Sequence, residues 1–391
     1  MKVIMCHNYY RQPGGEDQVF YDECWLLEKF GHQVVRYEKH NSEIDKLGKR
    51  GVAQSTIWNS AVRIELDELV AESKPDIVHF HNTFPLISPS AYSAAKKHRV
   101  PVIQTLHNFR IFCPGSTLVR EGKICEKCVT KTFAWPSVAH GCYRESRPMT
   151  GIVAARNAIH RIRGTWSNQV GKLIALTEHS RGLFVKAGFP EEHICVKPNF
   201  VRPDPGPRDQ PGESAIFVGR LSREKGIHVL LDAWTKHNCN IPLAIVGDGP
   251  LSDMVISAAA ENPRIQWLGQ LAFDQVLEKI RDSKMLIMPS VWYETFGRAV
   301  IEAFAAGVPV VASNVGAMKE LVSDGLTGLH FEVGSPEDLA DKVRKLAGNN
   351  EMSDQLGNHA RQEFIDKFSA DKNYEILMDI YDQAKSRGAH D

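Results

Sequence analysis

Two carboxylates bracket the segment "ETFGRAVIE", Glu294 at one end and Glu302 at the other. The apolar run "MLIMPS" before it reads as a strand ending near Pro289, and the pattern predicts a helix that opens near Gly297 and stops at Gly307. Glu294 then stands at the carboxyl end of a strand. The backbone around Thr295, Phe296, Gly297 and Arg298 becomes a helix start, where unpaired N–H groups and the helix dipole favour an anion. Glu302 falls inside the helix among Ile301, Ala303 and Phe304. A carboxylate buried there needs a partner, either ligand hydroxyls or a nearby cation. The alternative is a solvated glutamate on an exposed helix face.

A second cluster follows another strand. In "FVGRLSREKG", Gly219, Arg220, Lys225 and Gly226 lie in a strand-to-helix loop. An arginine fork and a lysine point charge suit a diphosphate, although a solvated basic loop has the same composition. The third cluster, Gly14 and Gly15 after the first strand, lets the backbone approach a ligand closely. Glu16 and Asp17 follow; they suit a helix N-terminus but would repel a phosphate placed there. "VGDGPLSD" carries Gly247 and Gly249 but lacks the third glycine of the dinucleotide fingerprint, and no P-loop pattern is present.

The elements that must position these groups alternate regularly. "KVIMCHN", the helical stretch "EDQVFYDECWLLEKF" and "QVVRYE" form one βαβ unit. "DIVHFHN", "PVIQTLHN", "KLIALTEHS" and "HICVKPNF" extend the first series. The proline-rich "VRPDPGPRDQPGES" reads as a linker. A second series then runs through "AIFVGR", "LAIVGDGP", "IQWLGQL", "MLIMPS", "VPVVAS" and "GLHFEV". The expected fold is α/β, two doubly wound Rossmann-like domains facing a central cleft. The expected divisions are 1–200 (with a cysteine-rich insertion at 108–145), a linker at 201–213, a second domain at 214–368 and a terminal helix at 369–391 that crosses back to the first domain. Ligands in such sheets bind beyond the carboxyl ends of the strands.

Composition narrows the function classes. The 391 residues carry 47 basic and 47 acidic side chains, so the basic excess of a dedicated nucleic-acid binder is missing. No apolar run approaches the ~18 residues of a membrane span. The N-terminus reads as a first strand rather than a signal peptide, and the eight cysteines are expected to be reduced in a cytoplasm.

Taken together and in this order, "PGGED", "GRLSREKG" and "ETFGRAVIEAFAAGVPVVASNVGAMKELVSDGLTG" resemble the retaining, sugar-nucleotide-dependent glycosyltransferases of family 4, which have the GT-B fold. The resemblance implies transfer of a hexose or derivative from a UDP- or GDP-sugar to a hydroxyl acceptor, in cell-envelope polysaccharide or glycoconjugate synthesis. It implies no catalytic cofactor. Arg220 and Lys225 would hold the donor diphosphate, Glu294 the transferred sugar and Glu302 the ribose. Amides near Thr295, Phe296 and Gly297 would serve the donor, and Gly14 and Gly15 would let the first domain approach the phosphates. His107 matches a histidine near the reacting sugar, while Gly249 and Leu271 would border the nucleobase. Arg298 departs from the apolar residue expected at its position and is read as contacting acceptor or donor, or as a surface pair. Competing readings are a catalytically inactive sugar-nucleotide-binding protein, a GT-B epimerase, and a phosphorylase that uses pyridoxal phosphate.

Cys113, Cys125, Cys128 and Cys142 form a Cys-x11-Cys-x2-Cys-x13-Cys series. A structural zinc, free thiols and a disulfide all fit that spacing. Downstream, "YRESRPMTGIVAARNAIHRIRG" holds five arginines against one glutamate. It suits an anionic lipid-linked acceptor or the inner face of a membrane, or simply a solvated helix face. The histidines of "HFHN" are read as lining an acceptor cleft or as structural core residues.

Overall fold

The structure is a computed structural model that describes residues 1–11 and 14–388. The chain divides into two compact units. Unit 1 comprises residues 1–118, 125–198 and the chain from Asn373 onward; unit 2 comprises 119–124 and 199–372.

Unit 1 is built on β1 (Lys2–Tyr9), β2 (Gln33–His40), β3 (Ile77–Phe80) and β4 (Val102–Thr105). The short strands β5 (Val119–Arg120) and β6 (Lys123–Ile124) pair as an antiparallel hairpin that groups with unit 2. β7 (Lys172–Ala175) and β8 (Ile194–Val196) complete the first sheet, in the order β2-β1-β3-β4-β7-β8. All its ladders are parallel. Its central strands, "IVHF" and "VIQT", are buried on both faces, as expected for a sheet covered by helices on two sides. The helix Gly15–Lys29 buries Val19, Phe20, Cys24 and Leu27 against this sheet and ends before Gly31, whose φ of 79° suits glycine.

The last helix, Ala370–Gly388, supplies Leu377, Ile380, Tyr381 and Ala384 to the same core, where they pack with Val3, Phe20, Ile103 and Ile174. Phe30 stacks on Tyr374 of this helix at 3.7 Å. Unit 1 is therefore assembled from both ends of the sequence.

Unit 2 contains β9 (Ala215–Val218), β10 (Leu243–Val246), β11 (Ile265–Gly269), β12 (Met285–Met288), β13 (Val310–Ser313) and β14 (Gly328–Phe331). They form a parallel sheet ordered β11-β10-β9-β12-β13-β14. This is the dinucleotide-fold order, with its topological switch point between β9 and β12. The residues read as a linker, 201–213, group with this unit. Among the described residues, no helix is long and apolar enough to cross a membrane.

Candidate active site

In unit 2 the two predicted charge clusters meet at the switch point. The loop leaving β9 carries Arg220 and Lys225, and the loop leaving β12 carries Glu294. Lys225 Nζ donates to Glu294 Oε1 at 2.7 Å. Ser290 Oγ donates to the same oxygen at 2.7 Å, and the Ser290 carbonyl in turn accepts from Ser313 Oγ at 2.6 Å. Glu294 is thus held by a cation and a hydroxyl while 6% exposed. Lys225 also lies 5.6 Å from the centre of the Trp292 ring, whereas Arg220 stands exposed at the start of its loop.

Close backbone approach explains the glycines here. Gly226, at φ 75°, has the Pro289 carbonyl oxygen 1.8 Å from where a Cβ would sit. That contact brings the β9 and β12 loops together, and Val291 N–H donates to Glu224 O at 2.9 Å beside it. Gly219 N–H donates to Val246 O at 3.0 Å, and Gly247 N–H to Gly269 O at 2.8 Å, so the loops after β9, β10 and β11 remain zipped beyond the sheet. A Cβ on Gly249 would meet the Leu221 carbonyl oxygen at 2.5 Å. Leu271, two residues past β11, is half-buried.

The helix Arg298–Ala305 begins after Gly297, which has no side chain to cap it. Phe296 is buried, and Thr295 is half-buried beside it. Glu302 is 5% exposed, so the solvated-face reading does not hold. Its Oε1 accepts from Arg298 Nε at 3.1 Å, one helical turn away. The Arg298 guanidinium lies 5.3 Å from the Phe273 ring centre. The unexpected arginine is therefore the cation that accompanies the buried acid.

Unit 1 contains a second polar centre, around His107 at the end of β4. His81 Nδ1 lies 2.9 Å from His107 Nε2, and His81 Nε2 lies 2.8 Å from Glu23 Oε2. Glu23 Oε1 meets Lys197 Nζ, and Lys197 donates to Asn373 Oδ1 at 3.0 Å. His79 bridges Tyr381 OH at 2.9 Å and Thr105 Oγ1 at 2.8 Å. Glu23, His79, His81, Lys197 and Asn373 are all buried. Burial alone would raise the Glu23 carboxyl, but Lys197, then His81 and His79, outweigh it and hold it well below the usual carboxylate range. Burial, with His81 and His7 adding to it, pushes His107 well below the ordinary imidazole range, so it is neutral.

Glu23, His79 and His81 offer ligand atoms within 4.8 Å of one another, the spacing of a metal site. Lys197 already supplies the cation there, and Tyr381 and Thr105 occupy His79. The trio is an internal charge network. None of the four cysteines 113, 125, 128 and 142 is in a disulfide. Cys113 lies near Cys142, and Cys128 lies near both Cys113 and Cys125, so the four side chains gather in one region.

Gly14 caps the helix Gly15–Lys29, and its N–H donates to Asp17 Oδ2 at 2.8 Å. A Cβ on Gly14 would meet nothing within 4 Å, so no close approach inside the chain requires glycine there. Asp17 also binds His7 Nε2 at 2.7 Å. Glu23, Lys197, Ser290 and Trp292 were not legible as site residues. Glu23 did carry a signal, because it sits on the apolar stripe between Phe20 and Leu27, as Glu302 does in its own helix.

Two family models match the chain in tandem. The Glycosyltransferase Family 4 model covers residues 13–205, and the Glycosyl transferases group 1 model covers residues 203–363. An uncharacterised glycosyltransferase of Methanocaldococcus jannaschii is 34% identical over 170 residues, 43% of this chain and 47% of the relative. This chain therefore spans just under half the length of that relative. Glycogen synthase of Mycobacterium tuberculosis is 24% identical over 340 residues, 80% of this chain and 70% of the enzyme. Among solved structures, Anabaena HepE in complex with UDP superposes with a TM-score of 0.68 at 17% identity, covering 97% of this chain and 99% of HepE. With two Rossmann-like sheets and both halves matched in order, the chain belongs to glycosyltransferase family 4, the GT-B glycosyl transferases of group 1.

Proposed function

We propose that the protein is a retaining glycosyltransferase that moves a hexose or hexose derivative from a UDP-sugar to a hydroxyl acceptor. The observation that carries this reading is the Lys225–Glu294 pair at 2.7 Å across the switch point of unit 2. A cation there faces the position that sheets of this order give to a phosphate. Arg220 lies on the same loop, and the N-terminus of helix Arg298–Ala305 adds unpaired N–H groups. Negative charge grows on the leaving diphosphate as the glycosidic bond breaks, and preorganised donors lower that barrier most.

In this reading Lys225 and Arg220 take the diphosphate. Glu294, held in place by Ser290, accepts hydrogen bonds from the sugar hydroxyls. Glu302, oriented by Arg298, accepts them from the ribose. HepE, a protein of the same fold, has been captured with UDP and with UDP-glucose, which favours uridine as the base.

The test is calorimetric titration with UDP-glucose, UDP-N-acetylglucosamine and GDP-mannose, followed by NMR assignment of the product anomer with an accepted hydroxyl compound. An α-linked product from an α-linked donor is expected. Inversion would remove the retaining assignment. Absence of both binding and donor hydrolysis across the panel would remove the function.

A further inference from the structure

A guanidinium with no carboxylate to answer it lies inside unit 1. Arg156, in the helix Arg147–Ile162, is 1% exposed. Its Nη1 donates to the neutral Asn157 Oδ1 at 3.0 Å, and its Nε is buried without a partner. The Phe84 and Trp166 ring centres lie 5.7 and 6.0 Å from its guanidinium carbon. Burial lowers its pKa to about 10, and Arg110 pushes the same way, opposed only by the phenols of Tyr92 and Tyr10. A buried charge of this kind is ordinarily paired.

Arg110 lies 4.4 Å from the same Phe84 ring. It donates to Pro114 O and Ser116 Oγ, both at 3.1 Å, and its Nε is also buried without a partner. Both arginines line one pocket that is partly open to solvent, together with His81, His107, Thr83 and Glu16. Glu16 is the one carboxylate in that lining. It makes no ion pair with either arginine among the described residues, and its Oε2 reaches only Asn108 Nδ2, at 3.5 Å. Burial first, then Asp17, raises its pKa to about 7 against the pull of Tyr10, Arg110 and Asn108, so Glu16 is only a partial counter-charge to Arg110.

We propose that this pocket is an oxyanion subsite that takes a phosphate or carboxylate borne by the acceptor. The acceptor assignment rests on the glycosyl-transfer reading above; the anion site itself does not. Two guanidinium groups around one aromatic ring offer the forked donors that carboxylates and phosphates accept in pairs. The donor groups of that reading all belong to unit 2, and His107 belongs to this cavity.

The probes are glucose 6-phosphate, glucuronate and glucose, titrated calorimetrically into the wild-type chain and into Arg156→Met and Arg110→Met, with UDP titrated into each as a control. The anionic probes are expected to bind roughly tenfold or more tightly than glucose, and each variant is expected to lose that preference while binding UDP unchanged. Arg156→Met is expected to fold, because an apolar group of similar volume in place of a buried unpaired charge is often neutral or stabilising. Co-sedimentation with phosphatidylinositol vesicles against phosphatidylcholine vesicles separates the sources. Arginine-dependent binding to the anionic vesicles alone assigns the oxyanion to a lipid head group, and a response to the soluble probes assigns it to a soluble acceptor. Equal affinity for glucose and both anionic probes, with no preference between vesicles, overturns the proposal. So does an anion preference that survives in both variants. Anion preference without any UDP binding or transfer would instead overturn the glycosyl-transfer reading and leave the oxyanion site standing.

Discussion

His81 Nδ1 and His107 Nε2 are 2.9 Å apart, so one ring must donate to the other. The far edge of His81 faces the Glu23 carboxylate at 2.8 Å, which fixes the direction. With a proton on the His81 Nε2 that faces ionised Glu23, a neutral His81 accepts at Nδ1 from His107 Nε2–H. Buried Lys197 keeps Glu23 ionised and so holds the tautomer of a ring two residues away in the chain of contacts. Replacing His81 with Phe should preserve the ring stack and remove this control. We expect kcat to fall about 10²-fold, in the range of a lost acid–base alignment, with the UDP dissociation constant unchanged by calorimetry.

The same network sets a stability test. Glu23→Gln and Lys197→Met should each destabilise the chain by ~3–5 kcal/mol, because each strands one buried charge. The double variant should be much less destabilised than the sum of the two. Urea denaturation followed by fluorescence reads all three, and simple additivity would mean that the two side chains do not act as a pair.

Stability should fall on acidification below about pH 6.5, the ordinary imidazole value. Burial lowers His79 to about 3 and His160 to about 4, so both stay neutral in the folded chain while the unfolded chain takes up protons. Between pH 7.5 and 5, His79 alone accounts for roughly 2 kcal/mol of that loss. Glu16 works in the opposite sense. With its folded value raised to about 7, its burden is full above pH 7 and is relieved as pH falls towards 4.5. Glu16→Gln should therefore raise the melting temperature at pH 8 and steepen the decline towards pH 5. A parallel downward shift at all pH values would contradict this account. Below that range Glu23, whose carboxyl is depressed, adds a further loss as pH approaches its folded value.

In unit 2, Lys225→Ala should separate chemistry from folding. The Lys225 side chain is 24% exposed, and Ser290 remains on Glu294. A melting-temperature change of only a few degrees should accompany a loss of transfer of about 10² or more, the scale of one removed electrostatic donor. Circular dichroism melts and initial rates read the two quantities separately. Near wild-type turnover would remove Lys225 from the diphosphate role.

Two glycines in the same region should differ in tolerance. Gly226→Ala drives a Cβ to 1.8 Å from the Pro289 carbonyl oxygen, a backbone atom, at φ 75°. Gly297→Ala meets the flexible end of Met318 at 2.5 Å, with φ at −150°. The first should cost ~3 kcal/mol or more and loosen the β9–β12 loop contact, whereas the second should cost ~1–2 kcal/mol. Chemical denaturation of the two single variants checks the order.

The α/β alternation was legible because each strand is a short apolar run and each crossover helix has a clear stop. The switch-point cluster was legible because its residues are close in sequence to strand ends. The Lys225–Glu294 pair spans 69 residues, and only the β9–β12 adjacency brings it together. Glu302 stood out as an acid in an apolar helix, but its partner Arg298 looked like a departure from pattern until the helical turn placed them 3.1 Å apart. Glu23 gave the same kind of signal more faintly, since Asp22 beside it makes the segment "DECW" look polar. Lys197 was silent, because its partner Glu23 is set by packing between the first helix and the end of β8, far apart in the chain.

The core of unit 1 waits for Leu377, Ile380, Tyr381 and Ala384, which follow all of unit 2 in the sequence. Unit 2 draws on nothing after residue 372. During synthesis it therefore has its full complement of residues first, although it is encoded second. The first half of the chain therefore has part of its sheet uncovered until the helix Ala370–Gly388 has been made. A stop codon near residue 372 would release a chain with unit 2 complete and unit 1 unfinished, the kind of species that exposes apolar surface and aggregates.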